Sequence, residues 1–164
     1  MSTPDFTFAS VEWDDPRAVA LRDIMDAEMT ARYHSDTVEP VEVTLRRQRS
    51  LAVDPAALKA TVLVLDADGT PLAHAALKVL RGDWEVKRVI VVDGQRGRGI
   101  GRALMNHLEQ LAVAGGAPRL ILQTGDRQPD AVALYERVGY TPIPIYEPYV
   151  ETIPNSLCYE KVIA

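Results

Sequence analysis

The chain has one cysteine, Cys158, three histidines, two phenylalanines and two tryptophans in 164 residues. A lone cysteine excludes an internal disulfide framework and any metal site built from several thiolates. His34, His74 and His107 are too far apart for a local histidine pair, so no metal is expected. No apolar run approaches the length of a membrane span, and the opening MSTPDFTF has neither a basic stretch nor an apolar one, so a cytoplasmic protein is expected. An excess of basic residues is also missing. The net charge is −5 and the pI about 5.2, which argues against a general nucleic-acid or anionic-membrane surface. Repeats, low-complexity tracts and linker-like stretches are absent, and the length suits one domain spanning residues 1–164.

What is present centres on Glu85–Leu111. Glu85–Val92 is rich in β-branched residues and reads as a strand. Asp93–Gly101 gathers glycines and arginines into a turn that exposes backbone. Ile100, Leu104, Leu108 and Leu111 then fall at helical spacing. A strand, a glycine loop and a helix N-terminus together bind phosphate. The unpaired amides of the first turn point outward, the helix dipole favours an anion, and missing Cβ atoms permit close approach. Arg96, Arg98 and Arg102 add positive charge there. The dinucleotide fingerprint fails because Arg102 stands where a third glycine should be, and the P-loop fails for want of a lysine.

The remaining elements alternate in type. Asp5–Trp13 reads as a strand, and Asp15-Pro16 as the cap of a helix over Arg17–Tyr33. His34–Pro55 has poor patterning and is expected to be irregular or briefly helical. Ala60–Asp66, Pro71–Leu80 and Trp84–Val92 should form an antiparallel meander. Arg119–Thr124 should run parallel to the strand before the glycine loop, because a helix separates the two. Pro129–Val138 reads as a helix closed by Gly139, and Tyr140–Tyr149 and Ser156–Ile163 as the last strands. The class is mixed α/β.

Three blocks in this order resemble the GNAT superfamily of acyl-CoA-dependent N-acetyltransferases. Arg96-x-x-Gly99-x-Gly101 is similar to its acyl-CoA signature, Gln/Arg-x-x-Gly-x-Gly/Ala. Glu85–Val91 is similar to the E-I/V-K-R-x-x-V run that often precedes it. Ala131, Leu134, Tyr135, Gly139 and Tyr140 match A-x-x-L-Y-x-x-x-G-F/Y. The likeness covers roughly Gly82–Tyr140, with a weaker match over Pro142–Lys161.

The resemblance implies a mostly antiparallel sheet of about 6–7 strands, splayed at a parallel pair and flanked by about 4 helices. It implies transfer of an acetyl group from acetyl-CoA to a primary amine, by direct attack in a ternary complex and without a metal. The backbone amides of Arg96, Gly97, Arg98, Gly99, Ile100 and Gly101 would hold the pyrophosphate, with Arg102 adjacent. Backbone groups of Val91 and Val92 would pair with the pantetheine arm, and Gln128 stands where relatives often carry a cofactor-contacting asparagine. Tyr135 would protonate the departing thiolate, and Glu85 is the candidate base. The alternative is a domain of the same fold that senses acyl-CoA without turnover. The acceptor is expected to be a small molecule rather than a protein. Homodimers are common among similar proteins, but nothing in the chain demonstrates one.

Overall fold

The computed structural model describes residues 5–95 and 97–163. A seven-stranded sheet organises them, in the order β1-β2-β3-β4-β5-β7-β6. The strands are β1 (Phe6–Ser10), β2 (Leu58–Asp66), β3 (Pro71–Leu80), β4 (Asp83–Val91), β5 (Arg119–Gly125), β6 (Thr141–Ile143) and β7 (Ser156–Val162). Every pairing is antiparallel except β4 with β5. That parallel pair follows from the intervening helix α3 (Ile100–Ala114), which carries the chain back across the sheet.

Alternation along the strands separates two faces. Val62, Val64, Leu77, Val86, Leu120 and Leu122 point to the side where α3 lays down Ile100, Leu104, Met105 and Leu108. Helix α4 (Pro129–Arg137) adds Tyr135 to the same cluster. On the other face, Leu63 and Ile90 meet Ala18 and Leu21 of α1 (Pro16–Arg32). Helix α1 begins as its sequence implies: the Asp15 carboxylate accepts from the Arg17 N–H and Pro16 takes the first helical position.

Two segments differ from the reading by pattern. His34–Pro55 contains an eleven-residue helix, α2 (Val41–Leu51), none of whose residues is buried. Its more covered positions, Thr44, Arg47 and Ser50, are polar and only half-buried, so no apolar stripe is there for periodicity to detect. The strand expected over Tyr140–Tyr149 shrinks to β6, because Pro142 and Pro144 cannot donate to a ladder and edge strands tolerate them only in short runs. The chain then forms a four-residue helix, α5 (Tyr149–Thr152), giving five α-helices instead of four among the described residues. None of these helices is long and apolar enough to cross a membrane.

Candidate active site

Strands β4 and β5 pair over only three residues each, Trp84–Val86 with Leu120–Leu122. Both continue, β4 to Val91 and β5 to Gly125, so their C-terminal ends diverge. A bulge in β4 accompanies the divergence. Between the pairs Ala76–Lys87 and His74–Ile90, β4 uses one more residue than β3, and Arg88 adopts φ +58°. An extra residue bends a strand and releases its pairing. Beyond the bulge the Val92 N–H donates to the Leu72 carbonyl at 2.9 Å, and the Val92 carbonyl accepts from Gln95. Both peptide groups of Val92 are therefore engaged, the N–H by β3 and the carbonyl by the turn. By strand alternation it is Val91 whose peptide groups face the opening.

The glycine loop meets that opening. Gly94, Gly97 and Gly99 all have positive φ, and at Gly97 and Gly99 a Cβ would enter open space. Gly99 caps α3 in the left-handed conformation, with no side chain satisfying the first-turn amides. Ile100 buries its side chain beneath the loop. At Gly101 a Cβ would lie 3.2 Å from Leu134 and 3.7 Å from Val91, so glycine lets α3 approach both α4 and β4. The Arg98 guanidinium is already engaged by Asp5 at 2.8 Å and by Gln95, leaving its backbone, not its charge, on the loop. Arg102 is exposed, and Arg96 lies outside the described residues.

Tyr135 is 6% exposed, with its ring against Tyr140 and Tyr159. Burial raises its phenol above the ordinary value near 10, so it stays protonated at neutral pH. Gln128 holds the N-cap position of α4 without a capping hydrogen bond. Beside it, the Tyr33 hydroxyl accepts from the Arg127 N–H at 3.0 Å, tying the end of α1 to the loop after β5. A Cβ at Gly125 would collide with that hydroxyl.

Glu85 is fully buried, so it is not the solvated partner of Lys87 or Arg119 that a glutamate at a strand start ordinarily is. Arg119 pairs with Asp83 and Glu160 instead. The Glu85 Oε2 accepts from the Tyr146 hydroxyl at 2.6 Å and the Tyr149 hydroxyl at 2.9 Å. Its Oε1 has no hydrogen-bond partner, with the Lys78 Nζ 3.8 Å away. Lys87, only 7% exposed, donates to the Tyr149 oxygen at 2.7 Å, and burial lowers its ammonium below the usual lysine value. The two phenols are in turn pushed upward, by burial first and the Glu85 charge second.

Lys78, Tyr146 and Tyr149 are the Glu85 partners that sequence reasoning missed, and Lys87 joins them through the Tyr149 oxygen. Alternation along Glu85-Val86-Lys87 was the available signal, since it places both charges opposite the α3 face. The candidate acid and base thus lie on opposite faces: Val86 packs in the Tyr135 cluster, while its neighbour Glu85 turns to α5.

His107 stacks on Phe8 with ring centroids 4.2 Å apart. His34 lies on the surface beside Asp36. Cys158 is buried and its thiol is pushed up by that burial. His74 is fully buried, its Nδ1 2.8 Å from the Arg88 carbonyl and its Nε2 3.0 Å from an Arg22 nitrogen. Burial lowers its pKa to about 4, so it is neutral.

A sheet opened at its parallel pair, with a glycine turn feeding a helix beside the opening, is the architecture of the acyl-CoA-dependent acetyltransferase fold. The model of the Acetyltransferase (GNAT) family matches residues 19–140, and the chain belongs to that family. It is 37% identical over 101 residues to an IAA acetyltransferase of Azospirillum brasilense, covering 60% of this chain and 65% of that protein. The matches span less than two thirds of the length of such curated relatives. Among solved structures, a Klebsiella pneumoniae protein assigned to the acyl-CoA N-acyltransferases superposes with a TM-score of 0.78 at 25% identity, covering 97% of this chain and 98% of that one. A streptothricin acetyltransferase assignment from Bacillus anthracis, solved with acetyl coenzyme A, shares the fold at a TM-score of 0.56 and 17% identity, covering 66% and 64% of the two chains.

Proposed function

We propose that residues 1–164 act as one acetyltransferase domain that moves an acetyl group from acetyl-CoA to a primary amine of a small molecule, by direct attack in a ternary complex. The observation that carries this reading is the coincidence of the opened β4–β5 pair with the glycine turn at the start of α3. The first-turn amides and open glycine positions suit the pyrophosphate, and the Val91 peptide groups suit a pantetheine amide.

In the reaction the amine lone pair attacks the thioester carbonyl carbon, a C–N bond forms and the C–S bond breaks. The CoA thiolate takes the Tyr135 proton, and the amine's excess proton passes to Glu85, directly or through water. Two features support these roles. Tyr135 remains a protonated donor, and the Glu85 Oε1 has no hydrogen-bond partner, with the Lys78 Nζ 3.8 Å away, while the phenols of Tyr146 and Tyr149 hold the other oxygen. Gln128 supplies a further amide at the α4 end of the opening.

The test is calorimetric titration of the protein with acetyl-CoA beside its Gly99→Glu variant. The substitution places a negative charge, and a Cβ disfavoured at φ +76°, where the pyrophosphate would sit. Binding by the wild type that is lost in the variant is the expected outcome. No binding by either protein would refute the assignment. Binding without thiol release across an amine panel would favour the acyl-CoA sensor instead.

A further inference from the structure

We infer that His74 is a positioning residue for acetyl-CoA binding: it grips the Arg88 carbonyl and so holds the bulge that frees β4 from β5. The inference rests on the proposed entry of acetyl-CoA between those strands.

Arg88 takes a left-handed conformation, φ +58°, that a non-glycine residue adopts only when its surroundings enforce it. Two contacts enforce it. Its guanidinium reaches Asp26 on α1 at 2.8 Å, and its carbonyl, turned out of the regular ladder, meets the His74 Nδ1 at 2.8 Å. A carbonyl only accepts, so Nδ1 carries the proton and Nε2 is left as the acceptor for Arg22. The imidazole is thereby fixed as one neutral tautomer with both nitrogens satisfied. Arg22 continues the chain, donating to the Trp13 carbonyl and lying 3.6 Å over the Trp13 ring.

The path runs from the loop before α1, through Arg22 and His74, to the Arg88 peptide, and returns to α1 through Asp26. An apolar side chain at position 74 would fill the same space against Leu63 and Ile90 but leave the bulge carbonyl unpaired. A regular β4 would relieve that carbonyl and, by restoring the register, close the opening toward β5. The histidine therefore acts on the ligand through backbone geometry, with no contact of its own required.

The test is calorimetric titration with acetyl-CoA of the wild type and three variants, His74→Leu, His74→Asn and His74→Gln, well below their measured Tm values. Asparagine carries an amide N–H at the same distance along the side chain as Nδ1 and can still grip Arg88, whereas glutamine places its amide one bond further out. Expected is a roughly ten- to hundredfold weaker Kd for His74→Leu, restored mostly by Asn and little by Gln. If the Leu variant does not fold, the order of Asn over Gln carries the result. Equal affinities across the folded variants, with the wild type binding, would overturn this inference and leave the acetyltransferase reading intact. A wild type that does not bind acetyl-CoA would bring down both.

Discussion

The Tyr149→Phe substitution isolates the group that joins Glu85 to Lys87. The ring is almost completely buried and would remain, so no cavity opens beyond one oxygen atom. Two charge-assisted hydrogen bonds vanish, the 2.9 Å bond to the Glu85 Oε2 and the 2.7 Å bond from the Lys87 Nζ. Glu85 keeps Tyr146, but Lys87 loses its only hydrogen-bond partner among the described residues. Hydrogen bonds to charged groups contribute about 1.5–3 kcal/mol each, and two that share one hydroxyl are not additive. We therefore expect destabilisation of about 2–4 kcal/mol, which for a chain of this size lowers Tm by about 5–15 °C.

The pH dependence gives a second readout. The folded-state pKa of Lys87 is lowered, so the unfolded chain binds that proton more tightly. Between the lowered value and the unfolded value near 10.5, the lysine's contribution to stability rises with pH; below that window both states are protonated and its full desolvation penalty applies. Removing the Tyr149 oxygen lowers the folded value further and widens the window downward. The phenols of Tyr146 and Tyr149 act in the opposite sense, but only above about pH 10, where unfolded tyrosine ionises. Denaturant unfolding of wild type, Tyr149→Phe and Lys87→Met from pH 7 to 9.5 tests the reasoning. A Tyr149→Phe protein within about 0.5 kcal/mol of wild type, the scale of a neutral surface change, and with the same pH slope would refute it.

Other outcomes follow from the same structure. Tyr135→Phe should lower kcat by roughly ten- to a thousandfold with little change in acetyl-CoA affinity, and an unaltered turnover would remove the tyrosine from the acid role. Gly115→Ala puts a Cβ 2.2 Å from Trp84 Cη2, so it should cost about 1–3 kcal/mol in a thermal or denaturant melt. Trp84→Leu should relieve most of that increment in a double-mutant cycle, and strict additivity would show that the ring moves aside unaided.

The strand, glycine turn and α3 were legible because each depends on residues close in sequence. Gly97 and Gly99 announce a turn without reference to distant elements. The parallel pairing of β4 with β5 was legible for a similar reason, since one helix lies between them. Helix α2 and the shortened β6 were harder. The first buries nothing, and the second lies on the sheet edge, where proline rather than patterning decides how far a ladder extends.

The candidate site divides along the same line. The sequence by itself determined the family blocks, the glycine turn and the presence of Tyr135 and Glu85, all carried by local order and spacing. Tertiary structure alone decided that Glu85 is buried, that Tyr146 and Tyr149 take one of its oxygens, and that Lys87 bonds to the second phenol. It also decided that His74 meets the Arg88 carbonyl and that Val92 turns to β3. The physical reason is sequence distance: Glu85 and Tyr149 are 64 residues apart, and only the folded sheet brings their hydrogen-bonding groups within reach.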